Sequence, residues 1–384
     1  MSIFEPIKLA NRLIMYNWQF PSWPNFSYNT HSLQALSLKF AQELGEVSGL
    51  LYGRSKTLQD ETLMQFMLTE AIKTSEIEGE FISREDIMSS LRNNLGLNQT
   101  LISIKDKRAT NITALMLEVR KSFDQPLTLQ MLQHWHRTLM AHALHVNPGA
   151  WRTGTAAMQI ISGAYGAEVV HFEAPPSAEV PNEMVAFVQW FNTNNFPVKG
   201  EAAEAILKAA VAHLYFESIH PFEDGNGRIG RAIAELALSQ SIGYPLMLSL
   251  SKIIERDKNR YYEALKEAQR TMDITAWITY FGSVILDAQR DAREVVHFTL
   301  RKAKFFDSYK DALNERQLKV IHKMLEKGAE GFTGGMTAKK YISITKTSKA
   351  TATRDLLALH SLGVLVQEGA GRSVRYHLSM NPQQ

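Results

Sequence analysis

One segment limits what this 384-residue chain can fold into. Most of the sequence repeats apolar positions at helical spacing, but AAMQIISGAYGAEVVHFEAPP, residues 156–176, does not. There β-branched runs flank a glycine-rich turn. This predicts a hairpin with strands over 158–161 and 169–172, closed by Pro175 and Pro176. Helices are predicted over 33–51, within 58–83, and over 83–96, 109–124, 128–143, 177–192, 201–218 and 228–239. Another begins near Ile253, and one runs over about 277–298. In the second of these, Leu63, Met67, Ala71 and Ile72 share a face, and Gly79 ends the helix. Ser83 is the expected N-cap of the third, with Glu85 and Asp86 near its positive end. The body is mainly α, with one small hairpin. The opening YNWQFPSWPNFSYNTHS reads as an irregular cap packed on another part of the molecule.

The chain has no cysteine, which excludes disulfides, cysteine-based zinc sites and a thiol nucleophile. Its longest apolar run, 274–286, is too short to span a bilayer and is broken by Thr275, Thr279 and Ser283. The N-terminus shows no basic segment followed by an apolar core. A soluble cytoplasmic protein with no membrane partner is the expectation. The net charge of +3 is unevenly spread. Residues 312–384 hold eleven Lys or Arg against five Asp or Glu, leaving the remainder at −3. That tail reads as three helices followed by an alternating hairpin turning at Gly369 and Gly371, the order of a winged helix.

The densest chemistry lies in HPFEDGNGRIGR, residues 220–231. Asp224, Gly225, Asn226 and Gly227 read as a turn, and Arg228 as the start of an apolar-periodic helix. A glycine-rich turn entering a helix aims backbone N–H groups at one spot, and the helix dipole adds positive potential, so the spot favours an anion such as phosphate. Arg228 and Arg231 lie one helical turn apart and can serve the same side. Asp224 would repel phosphate unless it held Mg²⁺, which binds through a carboxylate together with substrate phosphates. His220, at the end of the preceding helix, suits a general base at neutral pH. Phe222 is expected in the core, fixing the turn. No Gly-x-x-x-x-Gly-Lys is present, which disfavours an ordinary P-loop enzyme.

This stretch matches without departure the signature His-Pro-Phe-x-Asp-Gly-Asn-Gly-Arg-x-x-Arg, and the chain thereby resembles the Fic family. PGAWRTGTAAMQI and VVHFEAPP resemble that family's arginine segment and flap. NRYYEAL at 259–265 resembles its nucleotide-side segment, and the aromatic opening resembles the extension that often precedes the core. The resemblance implies a helical Fic core over 106–300 with a hairpin flap, preceded by a helical extension over 1–105 and followed by a winged-helix domain over 301–384. It implies transfer of AMP from ATP to a Ser, Thr or Tyr hydroxyl of a target protein. His220 would be the catalytic base and Asp224 the Mg²⁺ ligand. Gly225, Asn226 and Gly227 would form the anion hole, continued by Ile229 and Gly230 in the ATP-binding stretch. Arg228 would contact phosphate, Arg231 the γ-phosphate, and Tyr262, with Tyr261 behind it, the nucleoside. The target segment would dock on the flap by strand addition.

TSEIEG, residues 74–79, fits the family's inhibitory pattern Ser/Thr-x-x-x-Glu-Gly/Asn through Thr74, Glu78 and Gly79. By that resemblance Glu78 would pair with Arg231 at the γ-phosphate position, leaving ATP bound but misplaced. Family members often form homodimers. His134, His136, His142 and His145 cluster in sequence, but their spacing does not complete a zinc set, and they read as structural or surface residues; Trp135 and Leu139 read as core. Two alternatives remain open at this level. One is an ATP-sensing regulator that binds DNA through Lys346, Lys349, Arg354, Arg372 and Arg375. The other is removal of AMP, or transfer of another phosphate-bearing group, at the same site.

Overall fold

A computed structural model describes residues 15–98, 100–162, 169–193, 198, 200–326, 328 and 332–379. Among them are fourteen α-helices and two antiparallel hairpins. The helices are α1 (His31–Leu51), α2 (Lys56–Ile77), α3 (Arg84–Asn94), α4 (Lys107–Lys121), α5 (Leu129–Leu139), α6 (Val180–Phe191), α7 (Glu201–Ile219), α8 (Asn226–Ile242), α9 (Leu250–Arg256), α10 (Lys258–Ala268), α11 (Thr275–Tyr309), α12 (Glu315–Leu325), α13 (Ala338–Thr345) and α14 (Lys349–Ser361). Strands β1 (Gln159–Ser162) and β2 (Val169–Glu173) pair antiparallel, with a register shift between Ile160 and Ile161. The predicted glycine turn between them lies outside the described residues. Strands β3 (Leu365–Glu368) and β4 (Arg375–Leu378) pair with Leu365 opposite Leu378.

Helix starts follow local capping chemistry. Ser83 accepts from the Asp86 N–H, Thr128 from Met131, Ser249 from Lys252 and Ser348 from Thr351. Most helix ends fall within a few residues of the sequence reading, and three differences have a clear cause or extent. Helix α8 begins at Asn226 rather than Arg228, because Gly225 at φ 80° already serves as its N-cap residue. The helix expected near Ile253 is two helices, α9 and α10, separated at Asp257, whose side chain caps the second by accepting from the Arg260 N–H. Helix α11 runs to Tyr309, well past the expected end.

The chain divides into two compact units: residues up to Gln42 with Met67–Gln289, and Glu43–Phe66 with Arg290–Gln384. In the first, α7 is the central element. Every residue of α7 from Ala205 to Ile219 is buried, and alanines at 203, 205, 209, 210 and 212 let neighbouring helices approach closely. The aromatic opening covers it. Trp23 stands edge-on to Tyr215 at 5.0 Å and donates to Glu183, while Asn17 donates to Ser218 at 2.7 Å.

In the second unit α12, α13 and α14 close on a core of Phe305, Val320, Ile321, Tyr341, Leu356 and Leu359. Met336 bridges to Tyr376 of β4. No helix among the described residues is long and apolar enough to cross a membrane.

Candidate active site

His220 caps the C-terminus of α7 in the left-handed region, at φ 49° and ψ 60°. A β-carbon makes that conformation costly, so the surroundings must hold it. Arg152 does much of this. Its Nε donates to the His220 carbonyl at 2.8 Å, Nη2 to the carbonyls of Pro175 and Ile219, and Nη1 to Ser177 Oγ. Its own backbone N–H donates to the Pro221 carbonyl. Burial, with the Arg152 charge adding to it, pulls the His220 pKa down to about 4. The imidazole is therefore neutral at ordinary pH, with a lone pair available to accept a proton.

The turn that follows is locked from inside. Asn226 accepts from the Phe222 N–H at 2.9 Å and donates to the Phe222 carbonyl at 2.8 Å, so its side chain folds the loop back on itself. Phe222 is fully buried and stacks on His136 with ring centres 3.8 Å apart. Gly225 needs its positive φ, and at Gly227 the Glu78 carboxylate lies against the bare α-carbon, so a β-carbon there would displace the end of that side chain. Glu78 and Arg231 thus occupy the space against the first turn of α8 at Gly227, while the Gly225 N–H donates to Asp224 Oδ1. The side chain of Ile229 is in the core, and Gly230 packs on its far side against Glu217 and His213, so neither offers a side chain to this space.

The end of α2 fills the phosphate side. The Glu80 N–H donates to the Ser75 carbonyl and the Gly79 N–H to that of Glu76, with Gly79 at φ 79°. This is a Schellman ending, and it turns the chain so that Glu78 and Glu80 both reach α8. Arg231 donates from Nε to Thr74 Oγ1 at 2.9 Å, and from Nη2 to the Thr74 carbonyl at 3.1 Å and Glu78 Oε1 at 2.7 Å. Burial opposes the charge on Arg231, but the Glu78 carboxylate, with Tyr261 and Glu70 adding to it, raises the pKa overall. Arg228 pairs with Glu80 at 2.8 Å.

Asp224 remains 42% exposed. Burial would raise its pKa, yet His145 at 3.1 Å and Arg228 at 3.5 Å hold it below the usual carboxylate range. One ionised carboxylate beside an anion-binding helix end fits Mg²⁺, a hard cation that takes its other ligands from substrate and water. Among the described residues no three His, Asp or Glu side chains gather into a metal set. Tyr262 is 43% exposed on α10 and within electrostatic reach of Glu78 and Arg231. Tyr261 is buried behind it, its hydroxyl 2.8 Å from His213 Nε2.

Several residues join the site that sequence spacing did not single out. His136 accepts from the Gly149 N–H through Nδ1, so its Nε2 carries the proton donated to the Asp224 carbonyl at 3.1 Å. His145 reaches the Asp224 carboxylate. Glu217 lies one turn before His220, with Oε2 3.7 Å from His220 Nδ1. Only Arg152 carried a signal, through the PGAWRT segment.

Residues 126–238 match the Fic/DOC family, and residues 16–97 match a domain of unknown function (DUF4172). The chain is 28% identical over 142 residues to a probable protein adenylyltransferase of Aquifex aeolicus, covering 33% of this chain and 40% of the relative. It is 25% identical over 170 residues to the protein adenylyltransferase Fic of Drosophila yakuba, covering 40% of this chain and 30% of that one. It therefore spans less than half the length of these relatives. In fold it is similar to a Fic family protein from Desulfovibrio desulfuricans G20, with TM-score 0.54, 17% identity and coverage of 94% and 99% of the two chains. A Fic domain containing signaling protein from Bacteroides thetaiotaomicron is similar at TM-score 0.52 and 20% identity, over 67% and 97%. Residues 220–231 fold into one turn at the start of α8, inside the stretch that matches the Fic/DOC family, and the chain carries a Fic/DOC domain at residues 126–238.

Proposed function

We propose that this chain is a protein adenylyltransferase, moving AMP from ATP to a Ser, Thr or Tyr hydroxyl of a target protein, and that Glu78 holds it inactive. The observation that carries the reading is the convergence of a neutral, partly exposed His220, the N-terminus of α8 and the Glu78–Arg231 pair at 2.7 Å. In this reading His220 takes the proton of the target hydroxyl as its oxygen bonds the α-phosphorus. The bond from that phosphorus to the bridging oxygen breaks, and pyrophosphate leaves. N–H groups at Gly225–Gly227 and the two arginines stabilise the growing negative charge. Mg²⁺ held by Asp224 would neutralise phosphate charge. The edge of the β1–β2 hairpin, where Ile161 and Val169 are more than half exposed, would hold the target backbone. Glu78 occupies Arg231 and so competes with the terminal phosphate.

The test is Mg²⁺-dependent labelling with ATP radiolabelled at the α-phosphate, comparing wild type, Glu78→Gly and Glu78→Gly/His220→Ala. Label in the single variant and none in the double supports the reading. No label in any of the three, with ATP still bound, overturns it.

A further inference from the structure

The second unit has a surface that AMP transfer does not use. Helices α13 and α14 are joined by a three-residue turn in which Lys346 adopts φ 57° and Ser348 caps α14. On α14 the residues Ala352, Asp355, Leu356 and Leu359 face the core. The opposite stripe, at 349, 350, 353, 354, 357, 358 and 361, is exposed at helical spacing. It carries two cations, the exposed Leu357 and otherwise small or short side chains. The acid of this helix, Asp355, is buried and held by Tyr341 at 2.9 Å and Arg316 at 3.0 Å. Lys349, Ala350, Thr353, Arg354 and Leu357 line one shallow concavity.

The charge around the stripe has one sign. Residues 332–379 contain seven Lys or Arg against two acids. Lys339, Lys346, Lys349, Arg354 and Arg375 are exposed; Lys340 is taken up by the carbonyls of Thr333 and Gly335 and by the Phe332 ring. The exposed acid, Glu368, is paired with His377 at 2.8 Å. A solvated surface helix normally mixes both signs along its free face. Apart from Leu357 this face is small and cationic, and it is flanked by a hairpin carrying Arg375.

We propose that α14 is the recognition helix of a double-stranded DNA binding surface. The B-form major groove is about 12 Å wide and admits one α-helix, closely only where its side chains are small, as Ala350, Thr353 and Ala358 are. Lys349 and Arg354 sit where they reach phosphate or guanine edges, and Lys346 and Arg375 flank them on the turn and the hairpin. The deep, narrow major groove of an RNA duplex excludes the same helix. The inference is independent of the chemistry proposed for the first unit.

The test uses the full chain and a fluorescent mixed-sequence DNA duplex, with anisotropy read across a salt series. Binding is expected at low salt, with log K falling against log salt at a slope of about −3 to −5, as about 0.9 per contacted phosphate predicts for these cations. Lys349→Glu/Arg354→Glu should weaken binding at least about tenfold, and Lys349→Gln/Arg354→Gln by a smaller factor, with thermal unfolding unchanged. The same charge reversal on exposed lysines of the first unit, Lys39→Glu/Lys121→Glu, should leave binding within about twofold. Absence of binding, including a surface that captures only protein, overturns the proposal. So does equal loss in both reversal pairs, which would mean bulk charge, or equal affinity for an RNA duplex.

Discussion

Glu80 Oε2 lies 2.8 Å from Nη1 of Arg228, while two residues earlier Glu78 lies 2.7 Å from Arg231. The Schellman ending of α2 thus delivers two carboxylates, and each takes one of the two motif arginines. Removing Glu80 should therefore free the second. Glu80→Gln alone is expected to stimulate labelling weakly, since Arg231 stays engaged. Glu78→Gly/Glu80→Gln should label several-fold faster than Glu78→Gly. Equal rates for the two would show that Glu80 only neutralises Arg228.

Glu78→Gly should raise the labelling rate by about a hundredfold, the scale expected when a reacting group returns from a misplacement of about 1 Å. Thr74→Val should raise it less, because it removes the hydroxyl that accepts from Arg231 Nε and leaves the Glu78 contact in place.

Glu70 anchors α2 ahead of Glu78 in the chain. It is 8% exposed and accepts from Ser249 Oγ at 2.7 Å, from the Ser251 N–H at 3.0 Å and from Ser251 Oγ. Lys73 joins the same side through Glu255 at 3.1 Å. Glu70→Ala leaves buried donors unmet and should cost about 2–3 kcal/mol in chemical unfolding. It should also raise basal labelling, because α2 loses its hold on α9. A stability loss without faster labelling would mean that α2 stays seated on its other contacts.

Arg152 binds four oxygens around the end of α7, and burial lowers its pKa to about 10. Arg152→Lys keeps a charge but cannot bridge those carbonyls. In the Glu78→Gly background it should lower kcat at least tenfold, with little change in KM for ATP, because His220 loses its backbone support. A rise in KM at constant kcat would instead place Arg152 in nucleotide binding.

Burial pushes the Glu217 pKa up to about 8, with the Arg231 charge opposing. In the unfolded chain the carboxyl ionises near about 4.3. Between those values the folded state holds a proton that the unfolded state lacks, so this group makes stability fall as pH rises through the interval. Urea midpoints should decline from about pH 5 to about pH 8, and Glu217→Gln should flatten that decline. An unchanged slope in the variant would assign it to other groups.

The sequence by itself determined the local features. Helical period, capping serines and threonines, Gly79 as a helix terminator and the turn in DGNG are short-range properties, readable because backbone hydrogen bonding and φ preference depend on near neighbours. The hairpin was legible for the same reason. The Glu78–Arg231 pair entered the sequence reading only through family resemblance, because its members are 153 residues apart. Tertiary structure alone decided the rest. It brought His136 and His145 onto the motif, gave Glu80 to Arg228, and buried Glu217 beside His220. Those outcomes depend on which helix faces pack together and how far water is excluded. Neither quantity is a property of any short stretch of chain, and both set the charge and geometry on which the chemistry depends.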